Sequence, residues 1–140
     1  SSADYREWAR PYDLRILEAA SGAAFNVLHV CKRRTLLFDF ADYPVQAFSW
    51  AATDPLNAPL AEGLRRLPGA MMGGISHEEL ARHPDPAAAV AEYHHGLEQT
   101  SGRRWLVAPG CSIPPTTPAG TLRTIRAEVE GTQLTSERSP

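Results

Sequence analysis

The apolar residues of this chain switch repeatedly between helical spacing and short continuous β-rich runs, and that alternation limits the fold more than any other feature. Residues 25–30, 45–50, 70–75 and 105–108 read as strands of the apolar kind that parallel sheets bury. Helical spacing returns between them. The first segment, 4–20, places Trp8, Tyr12, Ile16 and Ala19 on one stripe, with Leu14 and Leu17 widening it and Pro11 predicting a kink. Residues 35–40 and 60–67 read as shorter helices. Ser76 with Glu79 fits a capping box, and Asp85-Pro86 opens an Ala-rich helix to about Thr100. Thr117-Pro118 opens a last helix through Leu122, Ile125 and Val129, with Gly131 as its stop.

Strands joined through helices by short connections specify an α/β protein with a parallel sheet and right-handed crossovers. About four βα units follow an initial helix, whereas a closed eight-unit barrel takes about 250 residues. The 140 residues therefore correspond to a partial (β/α)8 TIM barrel over 1–131, with 132–140 as a flexible polar tail. An open flavodoxin-like sheet is the alternative, but the glycine-rich phosphate loop expected after its first strand is missing.

With 14 basic and 16 acidic residues and no basic stripe, the sequence predicts no nucleic-acid partner. No apolar run approaches the roughly 20 residues of a membrane span, and the N-terminus lacks the basic and apolar pattern of a signal peptide, so a cytoplasmic location is expected. In that setting Cys31 and Cys111 are expected as free thiols or metal ligands before a disulfide.

Several stretches resemble the uroporphyrinogen decarboxylase family: Val27-Leu28-His29, Asp42-Tyr43-Pro44-Val45, Ser49-Trp50, Met72-Gly73-Gly74-Ile75, and above all Ala108-Pro109-Gly110-Cys111-Ser112-Ile113-Pro114 with Thr117-Pro118 downstream. Their order is similar to that of the family's C-terminal half. The resemblance implies a β/α barrel and one of two chemistries, cofactor-free decarboxylation of porphyrinogen acetate groups or zinc-dependent methyl transfer from a methylated corrinoid to a thiol. It also implies that the N-terminal half, which holds the decarboxylases' substrate-binding arginines and aspartate, lies outside this chain.

His29 and Cys31 stand two apart at a strand end and so face the same way, and Cys111 follows the fourth strand. Strand C-termini of a barrel open on one mouth, where the three can converge. Three N/S ligands leave a fourth zinc position open, as catalytic sites do. The pattern resembles the metal motif of the family's zinc methyltransferase branch, whereas the decarboxylase branch has a histidine where Cys111 stands. The resemblance thus implies Zn2+, a small-molecule thiol acceptor, and a corrinoid, free or on a corrinoid protein, as methyl donor rather than tightly bound cofactor. On residue type alone, buried packing is the commoner role for one histidine and two cysteines.

Trp50, Gly73 and Gly74 are the candidate substrate-binding residues. The Trp50 ring is expected either to line a flat tetrapyrrole or to cap the core, and the glycines either to admit a ligand to the backbone or to let the strand turn. His77 stands near the mouth but just inside the Ser76 cap and reads as a solvated helix-start residue, His94 and His95 read as surface histidines, and Asp39 and Asp42 either neutralise cationic groups or, as is commoner, are solvated loop carboxylates. The chain departs from the family at Ala119-Gly120-Thr121, where Glu-Asn is common, and at Ser49, where an acidic residue is common. Three functions follow: a zinc thiol methyltransferase, a porphyrinogen-decarboxylating lyase, or a non-catalytic half barrel whose open edges lead to self-association or to pairing with the missing half.

Overall fold

The computed structural model describes residues 1–82 and 85–136. Six α-helices and four strands run α1 (Ser2–Trp8), α2 (Arg10–Ala19), β1 (Val27–Val30), a 3-10 turn (Leu37–Phe40), β2 (Ala47–Trp50), α3 (Leu60–Arg66), β3 (Ala70–Ile75), α4 (His77–Arg82), α5 (Pro86–Thr100), β4 (Trp105–Pro109) and α6 (Ala119–Ser136). The strands form one parallel sheet in the order β1-β2-β3-β4. A doubly wound sheet reverses strand order at a switch point, and this one does not, so the flavodoxin-like alternative is excluded and the sheet is a barrel segment.

Register decides which side chains share a face. Phe48 pairs with Met71, and Met71 with Trp105, on the face that carries the helices. There Phe48, Trp50, Met71, Leu60 and Leu37 are almost wholly buried. A second cluster of Ile75, Leu80, Ala89, Tyr93 and Ile125 seats α4, α5 and α6, with the Tyr93 ring stacked on Trp105 at 5.7 Å. The opposite face presents Val27 paired with Ala47 and His29 paired with Ser49. It is more open: Val27 is 44% exposed, and Leu106 of β4, paired with Met72, is 43% exposed.

The sequence expectation fails at three places in the helices. The first segment is two helices, broken at Ala9, because Pro11 has no N–H to continue the ladder of α1. With that break Trp8, Tyr12 and Ile16 point to solvent, 71%, 63% and 67% exposed, and Tyr5, Leu14 and Leu17 pack on the core in their place. Polar contacts hold the pair down instead. Ser2 and Arg6 reach Asp39, Arg10 forks onto Asp42 at 2.7 and 3.1 Å, and the Tyr5 hydroxyl meets the Tyr43 hydroxyl and donates to the Asp13 carboxylate. Asp39 and Asp42 are thus clamps, not free loop carboxylates. The region expected to form a helix at 35–40 is a 3-10 turn that buries Leu37. Finally, α6 passes through Gly131 to Ser136, so the expected tail boundary at 132 falls inside a helix; residues 137–140 lie outside the described residues.

The caps agree with expectation. Ser76 Oγ accepts from the Glu79 N–H at 3.1 Å at the start of α4, and the Asp85 carboxylate accepts from the Ala87 N–H at 2.9 Å at the start of α5.

Candidate metal centre

Each of the three predicted ligands is brought to the mouth by a separate local device. Alternation along β1 sends His29 to the open face, and Cys31 follows one residue past the strand end. In β2, Ser49 is the register partner of His29, and its Oγ lies 3.1 Å from His29 Nδ1. In the tautomer whose Nδ1–H donates to that hydroxyl, Nε2 would be the ligand atom. Ser49 is 6% exposed, so the hydroxyl is held in place by its surroundings.

Backbone geometry fixes Cys31. Lys32 and Arg34 both adopt positive φ, 78° and 52°, an uncommon conformation for non-glycine residues. Asn57 holds the turn: its amide donates to the carbonyls of Lys32 at 3.0 Å and Ala51 at 3.1 Å, while its Oδ1 accepts from the Thr35 N–H at 3.1 Å. Arg33 ties the same loop to those after β2 and β3, pairing with Asp54 at 2.7 Å and Glu78 at 3.1 Å.

Cys111 has farther to come, because β1 and β4 are the two outer strands of the sheet. The chain leaving β4 crosses the top of the sheet. Gly110 donates its N–H to Ile75 O at 2.9 Å and lies so close to Ala51 that an added Cβ would sit 2.6 Å from the Ala51 Cα. Only glycine allows that approach, and it delivers the Cys111 sulfur to 3.7 Å from the Cys31 sulfur.

The ligand atoms of His29, Cys31 and Cys111 all lie within 4.8 Å of one another, and both cysteines are free thiols. Two sulfurs about 2.3 Å from one zinc at a tetrahedral angle are separated by about 3.8 Å, so the sulfur pair already has zinc spacing. The donor set, one imidazole and two thiols, is borderline-soft and suits zinc. The residues present therefore fit that ion.

Beside the sulfurs is a cleft of about 240 Å³ lined by Lys32, Arg33, Asp54, His77 and Glu78 as well as the two cysteines. His77, expected as a solvated helix-start residue, is half-buried on its wall, and its buried Nδ1 has no hydrogen-bond partner among the described residues.

Trp50 lies elsewhere. It is fully buried, its indole N–H donates to Ala58 O at 2.7 Å, and its ring packs against Gly63 of α3 and Met71. The ring therefore offers no surface to a tetrapyrrole and fills the core instead. Gly73 and Gly74 also serve packing: an added Cβ would sit 2.7 Å from Trp50 O at the first and 2.9 Å from the Trp105 ring at the second, where φ is +100°. His94 pairs with Glu128 of α6 at 3.0 Å, and His95 is exposed.

No described helix is long and apolar enough to cross a membrane. A family model described as uroporphyrinogen decarboxylase (URO-D) matches residues 1–131. Comparison with curated proteins gives no match.

Proposed function

The chain belongs to the uroporphyrinogen decarboxylase family, and on that footing we propose that it serves zinc-dependent methyl transfer from a methylated corrinoid to a small thiol. His29, Cys31 and Cys111 would hold the ion. The observation that carries the reading is the convergence of one imidazole and two thiols, with the sulfurs at zinc spacing and lining a cleft. When bound, zinc lowers the proton affinity of a coordinated thiol, so that the thiolate prevails near neutral pH.

The remaining work falls to the chain itself. Ser49 orients His29, and Asn57 and Gly110 hold the two cysteine loops, so that these contacts pre-organise the site. Typical ligand pockets run from about 300 Å³ upward. A cleft of about 240 Å³ has room for a small thiol and not for a corrinoid, which favours approach of the methyl donor from the open mouth. The chemistry supplied there would be methyl transfer to the thiolate sulfur, with the electron pair of the cobalt–carbon bond left on cobalt.

The test is zinc-loaded protein mixed with methylcobalamin and small thiols, followed by the spectral loss of the methyl–cobalt bond. The reading requires zinc-dependent demethylation that disappears in Cys31→Ser and in Cys111→Ser. Zinc-independent release of carbon dioxide from uroporphyrinogen would assign the decarboxylase chemistry instead.

A further inference from the structure

The two thiols at the mouth have a second chemistry open to them. Cys31 and Cys111 are the only cysteines in the chain and stand 80 positions apart, yet their sulfurs approach to 3.7 Å. A disulfide bond is about 2.05 Å long. Asn57 on one side and the Gly110–Ala51 contact on the other hold both loops in place, so the sulfurs stay close to each other. Reagents have access: Cys31 is exposed and Cys111 is only half-buried.

We propose that in the metal-free protein Cys31 and Cys111 form a reversible intramolecular disulfide, which makes the mouth a redox lock. The oxidant is a small-molecule disulfide of the glutathione class. One cysteine thiolate attacks a sulfur of that disulfide, forming a mixed disulfide and expelling one small thiolate. The second cysteine thiolate then attacks the protein sulfur of the mixed disulfide, closing the Cys31–Cys111 bond and expelling the second small thiolate. Two protein thiols are oxidised and one disulfide is reduced to two thiols, each expelled thiolate taking up a proton according to its own pKa. The product has no thiolate left for a metal, so oxidation and metal binding exclude each other. The bond itself rests only on the proximity of the sulfurs and not on the zinc reading.

The experiment uses the full chain, freed of metal by a chelator and then incubated with glutathione disulfide. Expected are the loss of both titratable thiols, a mass lower by two hydrogens, a peptide linking residue 31 to residue 111, and full recovery with dithiothreitol. Persistence of both thiols, stable glutathione adducts on both cysteines, or only intermolecular cross-links would overturn the proposal. In a Cys111→Ser control the remaining thiol should stop at the mixed disulfide, and its failure to do so would also count against the mechanism. A parallel arm with excess zinc separates the two ideas: protection of the thiols accords with both, while oxidation at an unchanged rate supports the disulfide and contradicts the metal site.

Discussion

A histidine is a good ligand when something holds its other nitrogen, and the side chain that does so here is Ser49. Replacing it with alanine removes the hydroxyl and leaves the fold's apolar contacts in place. Zinc affinity of Ser49→Ala should fall about 10- to 100-fold, measured by competition with a chromophoric chelator, with an unchanged far-ultraviolet spectrum. An unaltered affinity would show that the ring is oriented by other means. Gly110 offers a second test. An alanine there meets backbone atoms of Ala51, which cannot rotate away, so Gly110→Ala should lose about 1–3 kcal/mol of stability by denaturant unfolding and bind zinc less tightly. At this scale much was legible. The period-2 spacing of His29 and Cys31 and the common mouth of parallel strands were enough to group the three ligands. Ser49 and His77 were not assigned to the site, because the β1–β2 register and the path of the β3–α4 segment depend on loop lengths that residue type does not encode. Trp50 admits two readings from sequence, because alternation puts two residues on one face but does not say which face bears the helices; its burial decides for the core.

Elements are secured to one another by polar clamps as well as by apolar contacts. Asp39 ionises below the usual carboxylate range because Ser2, then Arg6, hydrogen-bonds its charged form, and Asp42 does so because of Arg10. In the unfolded chain both return to an ordinary value near 3.8. The clamp's contribution is therefore complete above that pH and is lost as pH falls from it through the lowered folded values. Wild type should lose more stability between pH 5 and about pH 2 than an Asp39→Asn, Asp42→Asn variant, as read from urea midpoints. Parallel slopes would contradict the clamp. Long periodic helices and β3 lie close to where the residue pattern put them, since burial and capping act together there. The initial helix does not, because Pro11 divides it and the exposed stripe of Trp8, Tyr12 and Ile16 looks apolar whether or not anything packs on it. At α6, Gly131 is a weak stop in a helix seated through Ile125, and the helix continues past it.

Over the whole molecule, the candidate ligands stand on β1 and on the loops leaving the two outer strands, so a bound ion would join the first βα unit to the last. A ligand that binds only the folded state stabilises it by about 2.7 kcal/mol at a concentration 100 times its Kd. Zinc should accordingly raise the melting temperature of wild type and leave a Cys31→Ser, Cys111→Ser variant unchanged. Strand order, and with it the barrel-segment architecture, followed from the alternation of periods and the short connections. The reaction did not, because membership of the family leaves decarboxylation and methyl transfer both open. The most direct test of the account is the zinc content of purified protein, set against that of the double cysteine variant. About one zinc per wild-type chain, absent from the folded variant, is the predicted result; folded wild type that takes up no zinc under reducing conditions would contradict it.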